Sequence, residues 1–266
     1  MTLSQGKQWV LVTGASSGIG EAFAKRFAKE NWNVILTARA IDKLNALSDE
    51  LIQKHQIKTL VIQMDLSRPS ACRQIFDKVK SSKIEIDCLV NNAGFGAVGR
   101  FTDRDIYREL EMVDVNVRAV LELTHLFLPG MIEQKHGFVI NVSSTASFQP
   151  IPYLATYSAT KAFVTSLSES LWAECQGTGV KVINLCPGRT KTNFGIVAGQ
   201  KVTQHDIRPT QTSEAVVEDT FRAMRKNSPT VVTNPFDNLL RFVERFVSRK
   251  VVVSVAGKLA KRLGYR

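Results

Sequence analysis

Three side chains in the second half of the chain have the chemistry of a proton-transfer site. Tyr157 and Lys161 lie four residues apart in a predicted helix, so their side chains share one face of it. A phenol has an ordinary pKa of about 10, which suits neutral pH poorly, and a neighbouring ammonium lowers that pKa. Ser144, 13 residues before Tyr157 and just after a predicted strand, is placed to orient a substrate oxygen. Tyrosine and lysine at this spacing more often form a solvated helix face, and such a serine more often caps a helix, so the hypothesis depends on the other motifs.

Asn116 adds a fourth candidate from a different part of the chain. It interrupts an apolar helical stretch between Val115 and Val117. Because asparagine is a poor residue for a helix interior, we predict a locally loosened helix there, which holds a water molecule or the lysine.

The segment after the first predicted strand has the spacing of a phosphate loop. Residues 13–20 read TGASSGIG and open into a helix predicted over 20–30. A diphosphate binds backbone N–H groups at a helix N-terminus, and glycine allows both the tight turn and the close approach. A plain glycine turn is the alternative, but the strand–turn–helix context favours a dinucleotide site. The predicted contacts are Gly14, Ser16, Ser17, Gly18, Ile19 and Gly20.

The end of the second predicted strand bears on the choice of dinucleotide. NAD sites usually place an acidic residue there, whereas NADP sites offer an arginine to the 2′-phosphate. Ala38 is neutral and Arg39 follows it, while Asp42 is expected to be the N-cap of the next helix. We therefore predict NADP(H). The alternative is that Arg39 is simply solvated and the cofactor preference is mixed.

Two further strand ends supply weaker signals. Asp65 and Leu66 follow the third predicted strand, and Asn91, Ala93 and Gly94 follow the fourth. Ligands of open α/β sheets bind at the carboxyl ends of the strands, so these residues are candidates for the cofactor site. The aspartate could equally cap a helix, and the second group could be only a turn.

The elements that must position these residues alternate along the chain. Short, mostly apolar strands are predicted at Trp9–Thr13, Asn33–Ala38, 59–64, 87–91, Gly137–Val142 and 181–185, and helices at 20–30, 42–55, 104–134, 153–175 and Ser213–Lys226. Alternating strands and helices with short connections predict a doubly wound parallel sheet in one α/β domain. The irregular segment 192–212 has the length of a lid or binding loop.

Composition limits the remaining possibilities. The four cysteines include no CxxC pair and no histidine stands at metal spacing, so we expect reduced thiols and no metal site. No segment has the roughly 18 uncharged apolar residues that a membrane-spanning helix needs. The chain runs almost directly into its first strand, which leaves no room for a signal peptide. These features predict a cytoplasmic protein that is at most peripheral to a membrane.

The charge is concentrated at the C-terminus. The formal net charge is +11, and residues 236–266 carry eight basic and two acidic residues. The basic character therefore belongs mainly to the tail and, without any nucleic-acid motif, does not indicate nucleic-acid binding. Apolar residues recur there at near-helical spacing beside Arg241, Arg245 and Arg249. This predicts a catalytic domain over 1–234 and a basic amphipathic extension over 235–266, which lies on a membrane surface, on a partner subunit or on its own domain.

Taken together, these motifs resemble the short-chain dehydrogenase/reductase family over roughly residues 8–195. The motifs that carry the resemblance are TGxxxGxG at 13–20, Asp65, NNAG at 91–94, Asn116, Ser144, YSATK at 157–161 and CPGRTKT at 186–192. The family implies a single Rossmann-type domain with a seven-stranded parallel sheet. It also implies a catalytic tetrad of Asn116, Ser144, Tyr157 and Lys161. In it Tyr157 is the acid/base, Lys161 also contacts the nicotinamide ribose and Asn116 supports a water relay.

The same resemblance implies positions for the cofactor. Asp65 would contact the adenine, Asn91, Ala93 and Gly94 the adenosine side, and Pro187, Gly188, Thr190 and Thr192 the nicotinamide. Arg189 stands where the family often has an apolar residue. Family members are often homodimers or homotetramers, so a homo-oligomer is expected by analogy.

The leading functional hypothesis is an NADPH-linked carbonyl reductase that acts on a small molecule. Apolar side chains expected near the substrate mouth are Phe95, Phe148, Pro150, Ile151, Tyr153 and Phe194. They favour a partly apolar substrate, although core packing explains them equally well. The alternative function is a non-catalytic NADP(H)-sensing or scaffolding protein on the same fold, against which the intact tetrad argues.

Overall fold

In the computed structural model, residues 7–199, 210–226, 228–244 and 246–265 are described. The strands are β1 (Trp9–Thr13), β2 (Asn33–Ala38), β3 (Thr59–Gln63), β4 (Cys88–Asn91), β5 (Gly137–Val142), β6 (Val180–Cys186) and β7 (Thr230–Val232). They form one parallel sheet in the order β3-β2-β1-β4-β5-β6-β7. The order reverses direction beside β1, and such a reversal opens a crevice at the carboxyl ends of the strands. The predicted doubly wound sheet is confirmed.

Helices cover both faces of the sheet. They are α1 (Gly18–Lys29), α2 (Ile41–His55), α3 (Ala71–Ser81), α4 (Ile106–Val113), α5 (Ala119–Glu133), α6 (Ala155–Glu174), α7 (Phe194–Val197), α8 (Ser213–Lys226), α9 (Pro235–Glu244) and α10 (Arg249–Arg262). One core cluster lies between the sheet and α1, α2 and α8, and the other lies on the opposite face with α3, α4 and α5. Because both faces are covered, the central strands β1, β2 and β4 are almost entirely buried.

Several predicted elements differ from the structure. The helix predicted over 104–134 begins at Ile106, after Asp105 accepts a hydrogen bond from the backbone N–H of Tyr107, and a π-helical turn at Asp114–Arg118 divides it. The cap of α2 is Ala40, so Asp42 lies in the first helical turn instead of at the N-cap. The loop 192–212 contains the short helix α7, and residues 200–209 lie outside the described part. The three residues of β7 were too few to give a strand pattern.

Residues 235–262 form the two helices α9 and α10, and α10 packs back against the core. Ala260, Leu263 and Tyr265 are buried in the core cluster that also contains Leu154 and Tyr157. A Cβ at Gly257 would lie 3.3 Å from Cγ of Pro152, so the backbone of α10 lies close to the loop before α6. The extension thus packs beside the segment that leads into Tyr157.

Candidate functional site

The glycine loop between β1 and α1 has the geometry of an anion cradle. Gly14 and Gly18 adopt φ of +65° and +59°, a backbone region that favours glycine. A Cβ at Gly14 would lie 2.9 Å from Cα of Ala93, and one at Gly18 would lie 3.0 Å from Cγ2 of Thr192. The side chain of Ser17, the N-cap of α1, makes no capping hydrogen bond, so the first N–H groups of this helix have no side-chain cap from this residue.

A pair of side chains that the sequence reasoning missed fixes this loop to β4. The Thr13 hydroxyl donates to the Val90 carbonyl and accepts from the backbone N–H groups of Asn92 and Ala93, the last two at 2.9 Å. The Asn92 amide donates to the Thr13 carbonyl at 2.9 Å. Both residues belong to the recognised motifs, and their position between two glycine-rich turns was the available signal.

Asn91 has a different position from its motif neighbours. Its side chain is 2% exposed and donates to the Asn141 amide oxygen at 2.8 Å and the Thr124 hydroxyl at 3.0 Å. The amide therefore points into the sheet, and only the backbone at this position remains for the predicted cofactor contact. Asn91, Asn141 and Asn184 are in register on β4, β5 and β6 and form a buried polar row across the sheet.

Arg39 and Asp65 meet at one end of the crevice. They line a cavity of about 460 Å³ together with Arg68. The Arg39 side chain is 63% exposed, and its guanidinium lies 3.5 Å from Glu111. Partial burial acts to raise the pKa of Asp65, but hydrogen bonds from Ser67 and the nearby charges of Arg39 and Arg68 hold it below its usual range. Arg39 can therefore reach an anion at this end of the crevice.

Leu66 and Ile19 contribute to the same region mainly by packing. Leu66 is 7% exposed and belongs to the core on one face of the sheet, while Ile19 packs against the core on the other face. Ser16 is half-buried and Gly20 is buried within the loop. A Cβ at Gly20 would collide with the Gly14 carbonyl, so the start of α1 lies directly against the phosphate loop.

The π-helical turn at Asp114–Arg118 places Asn116 inside the protein. Its amide oxygen accepts from the Phe95 N–H at 3.1 Å, and its amide nitrogen donates to the Phe95 carbonyl at 2.9 Å and to the Thr160 hydroxyl at 3.1 Å. A Cβ at Gly94 would lie 3.0 Å from the Asn116 oxygen and 3.4 Å from Nζ of Lys161. The loosened helix predicted at Asn116 is present, and it joins the NNAG turn to α6.

Tyr157, Lys161 and Ser144 converge at the carboxyl edge of β5. Lys161 is buried, and its Nζ donates to the Val142 carbonyl at 2.8 Å and lies 5.8 Å from the centre of the Tyr157 ring. Ser144 caps a 3-10 turn, with its hydroxyl accepting from the Ala146 N–H at 3.1 Å, and it also hydrogen-bonds to Tyr157. The capping function and the contact with the phenol therefore coexist in one side chain.

The protonation of this group differs from what the sequence predicts. Burial raises the pKa of Tyr157 to about 12, although its hydrogen bond with Ser144 acts in the opposite direction. Burial lowers the pKa of Lys161 to about 8, because desolvation disfavours the ammonium. Burial dominates at both groups, so the pKa of the phenol lies above its usual range despite the neighbouring lysine. The site therefore stores a proton on Tyr157 at neutral pH.

Two residues that the sequence reasoning did not select hold the start of α6 in place. The Ser143 hydroxyl donates to the Lys161 carbonyl at 2.8 Å, and the Thr160 hydroxyl donates to the Tyr157 carbonyl at 2.7 Å. Each of the two is adjacent in sequence to a candidate residue, Ser143 to Ser144 and Thr160 to Lys161. Their neighbours in the SS and YSATK motifs were the available signal.

The segment after β6 lies opposite the glycine loop. The Pro187 carbonyl accepts from the Thr145 N–H at 3.1 Å, and the Thr190 hydroxyl donates to the Gly188 carbonyl at 3.0 Å. The Thr192 hydroxyl accepts from the Phe194 N–H at 3.2 Å at the start of α7. These contacts bring the end of β6, the Ser144 turn and α7 together around one opening.

The apolar side chains predicted near the substrate mouth lie in different environments. The Phe194 ring lies 5.2 Å from the Tyr157 ring and covers it. Phe95 is 7% exposed beneath the Arg108 guanidinium, which lies 3.9 Å from its ring centre, so Phe95 is a core residue. Phe148 lies under the Arg241 guanidinium of α9, at 4.6 Å. The remaining candidates, Pro150, Ile151 and Tyr153, are partly exposed in the loop before α6.

The described residues contain no cluster of three or more histidine, cysteine, aspartate or glutamate side chains that could hold a metal ion. The four cysteines are buried free thiols. Among the described helices, none combines the length and the apolar character that crossing a bilayer requires.

Comparisons with known proteins agree with this geometry. The family model described as short chain dehydrogenase matches residues 8–203. The chain is 35% identical over 220 residues to sulfoacetaldehyde reductase 2 of Chromohalobacter salexigens, covering 80% of this chain and 86% of that protein. It is 37% identical over 186 residues to the human very-long-chain 3-oxoacyl-CoA reductase, covering 68% of this chain but 58% of the relative.

Solved structures show the same architecture. A short-chain dehydrogenase from Sphingobium yanoikuyae in complex with NADPH superposes with a TM-score of 0.80 at 26% identity, covering 91% of this chain and 97% of that one. A serine dehydrogenase in a closed form with NADP+ has a TM-score of 0.76 at 31% identity, covering 85% of this chain and 94% of that one. The topology and the crevice described above are therefore shared with proteins that bind a nicotinamide dinucleotide.

Proposed function

Because this chain belongs to the short-chain dehydrogenase/reductase family, we propose that it is an NADPH-dependent reductase that converts a carbonyl group to an alcohol. One observation carries the proposal. A buried, protonated phenol at Tyr157 lies between a serine hydroxyl and a buried lysine, at the edge of the sheet that also holds the glycine cradle. Hydride transfer to a carbonyl requires a proton donor of this kind.

Both ends of the crevice have features that suit a bound dinucleotide. At the α1 end, the positive φ of Gly14 and Gly18 and the uncapped helix N-terminus suit a diphosphate. At the β2 end, the exposed Arg39 guanidinium suits a 2′-phosphate, which favours NADP(H) over NAD(H). The NADPH-bound and NADP+-bound structural relatives support the same choice. When bound, the nicotinamide would supply the hydride.

The side chains of this protein would then control the proton. As hydride reaches the carbonyl carbon, negative charge develops on the carbonyl oxygen, and the Tyr157 hydroxyl transfers its proton to that oxygen. The product is an alcohol and the residue left behind is a phenolate. The Lys161 ammonium stabilises the phenolate, and the Ser144 hydroxyl orients the substrate oxygen. Because burial raises the pKa of Tyr157 to about 12, the resting site holds the acid, which suits reduction better than oxidation.

Asn116 would support this chemistry without touching the substrate. Its three hydrogen bonds hold the Phe95 segment and Thr160, and Thr160 in turn bonds to the Tyr157 carbonyl. A contribution to a water relay toward Lys161 fits the position of both side chains beside Gly94. All four residues of the tetrad are therefore proposed to act in, or to support, the proton transfer.

The substrate is proposed to carry an apolar part next to its carbonyl. Phe194 covers Tyr157, and the partly exposed Ile151 and Tyr153, in the loop that leads into α6, would line the approach. The relatives point to two chemical classes, a small sulfonated aldehyde and a long-chain 3-oxoacyl thioester. The apolar approach favours the second class.

The test is NADPH oxidation, followed by absorbance, with an aldehyde sulfonate and a series of 3-oxoacyl thioesters of increasing chain length. Tyr157→Phe should lower kcat by about 10² to 10⁴-fold, the contribution expected of a positioned general acid, while NADPH binding by fluorescence stays within a factor of two or so. Retained activity in Tyr157→Phe would refute the proposed acid. NADPH binding without turnover of any carbonyl in the wild-type protein would favour the non-catalytic sensing function instead.

A further inference from the structure

Helix α9 is oriented with its apolar face outward. Phe236, Leu239 and Phe242 are 49%, 61% and 56% exposed, and Leu240 and Val243 beside them are also exposed. The half-buried positions of the same helix are polar, since Asp237, Arg241 and Glu244 face the catalytic domain. Burial raises the pKa of the Glu244 carboxyl. This is the reverse of the arrangement in an ordinary surface helix, whose apolar stripe faces the core.

The polar face of α9 makes specific contacts with the domain, so the orientation is fixed. The Arg241 guanidinium lies 4.6 Å from the centre of the Phe148 ring and 4.0 Å from the Glu169 carboxylate. A Cβ at Gly188 would collide with the Asp237 carboxylate, so this side chain lies directly against the turn after β6. The helix is held by its polar side, and its apolar side is left in solvent.

Helix α10 also exposes apolar side chains. Its buried positions include Ala260, while Val251, Val255 and Leu259, spaced four residues apart, form a second exposed stripe. Phe246, between the two helices, is 76% exposed. We call the residues Phe236, Leu239, Leu240, Phe242, Val243, Phe246, Val247, Val251, Val255 and Leu259 the C-terminal apolar surface. Exposed apolar groups this numerous and contiguous in sequence usually mark a binding surface.

The charges around this surface identify its partner. Lys258 and Arg262 lie one turn apart on the exposed side of α10 beside Leu259, and Arg249, Lys250 and Lys261 are exposed on the same helix. Helix α10 contains no acidic residue. A second copy of the chain would bring these like charges together across a two-fold axis, which costs energy. An anionic bilayer instead offers both the opposite charge and an apolar interior.

We propose that the C-terminal apolar surface and its basic border dock on the surface of a bilayer that contains anionic phospholipids. Docking buries the exposed Phe, Leu and Val side chains at the headgroup boundary, and the lysine and arginine side chains contact phosphate groups. Phe148 and Pro152, which contact α9 and α10, belong to the loops beside Ser144 and Tyr157, so docking brings the substrate approach to the membrane. This last consequence rests on the proposed function, whereas the docking itself does not.

The experiment is co-sedimentation of the full chain with vesicles of phosphatidylcholine alone and of phosphatidylcholine mixed with phosphatidylglycerol. We expect binding to the anionic vesicles only, weakening as salt screens the basic border. Lys258→Glu with Arg262→Glu should lower the partition coefficient at least about 30-fold, because each basic residue near an anionic surface contributes roughly a factor of five. The matched control, Lys29→Glu with Lys78→Glu, reverses two exposed lysines on α1 and α3 and should retain wild-type binding to within about a factor of two.

A second pair of variants tests the apolar contribution. Leu239→Glu should abolish binding, while Ile52→Glu, at an exposed position on α2, should not. Tyr157→Phe should bind vesicles as the wild type does, so failure of the proposed reductase activity leaves this result interpretable. Equal sedimentation with neutral and anionic vesicles, or no sedimentation, overturns the proposal. A drop in molecular mass of Leu239→Glu in light scattering, without vesicle binding by the wild type, would assign the surface to a second copy.

Discussion

The catalytic corner and the C-terminal helices use opposite arrangements of polar and apolar groups. At the corner, Tyr157, Lys161 and Asn116 are buried, and Lys161 and Asn116 have hydrogen-bond partners within 3.1 Å. On α9 and α10, large apolar side chains are exposed although the helices are anchored. Both arrangements cost stability in an isolated soluble domain.

The two regions offset their stability costs in different ways. The buried lysine and phenol are held in position by surrounding hydrogen bonds, while burial shifts the pKa of each. An exposed apolar face is maintained by polar contacts beneath it, which fix its direction without covering it. Under the two proposals above, the first region would bind a small ligand in a crevice, and the second would bind an extended partner that remains outside.

The largest expected contrast between the regions concerns exposed cations. Arg39→Glu should weaken NADPH binding about 10- to 150-fold, the loss of a charge-assisted contact worth roughly 1.5–3 kcal/mol, and should affect NADH far less. Arg262→Glu, the same charge reversal on α10, should leave NADPH binding unchanged. Fluorescence titration of both variants provides the measurement. If Arg262→Glu also weakens NADPH binding, the two regions are not separate binding surfaces.

The second contrast concerns stability. Asn141→Ala removes one of the two acceptors of the buried Asn91 amide and the donor to the buried Ser168 hydroxyl, so it should lower the free energy of unfolding by about 1–3 kcal/mol. Leu239→Ser removes an exposed side chain and should change that free energy by less than about 0.5 kcal/mol. Denaturant unfolding measures both. A large loss in Leu239→Ser would mean that α9 packs its apolar face in solution.

The smallest effect concerns the pH dependence of the corner. The pKa of Lys161 is lowered to about 8 by burial, so its ammonium is present below that pH and lost above it. Tyr157, whose pKa is raised to about 12, keeps its proton throughout this range. We expect kcat/KM for reduction to decline above about pH 8, by at most roughly tenfold per pH unit. A profile flat to pH 10 or so would show that the lysine charge does not support proton transfer, and vesicle binding should show no inflection at this pH.

Sequence reasoning anticipated the local geometry of the candidate site because its motifs are local. Gly14 and Gly18 adopt the positive φ that the glycine spacing indicates, and Asn116 lies in a loosened helical turn, as an asparagine in a helix interior suggests. The prediction of Asp42 as an N-cap was wrong because the cap position depends on where the chain leaves β2, and Ala40 occupies that position. Thr13, Asn92, Ser143 and Thr160 were missed because their partners are distant in sequence.

The sequence by itself determined the doubly wound sheet, the glycine cradle and the spacing of Ser144, Tyr157 and Lys161, because strand burial, turn geometry and helical periodicity act over a few neighbouring residues. Only the tertiary structure decided that burial would raise the pKa of Tyr157, that the Asn91 amide would point into the sheet, and that α9 would present its apolar face outward. Desolvation and packing direction depend on groups brought together from distant parts of the chain. An amphipathic pattern specifies two faces of a helix but does not specify which of them meets the core.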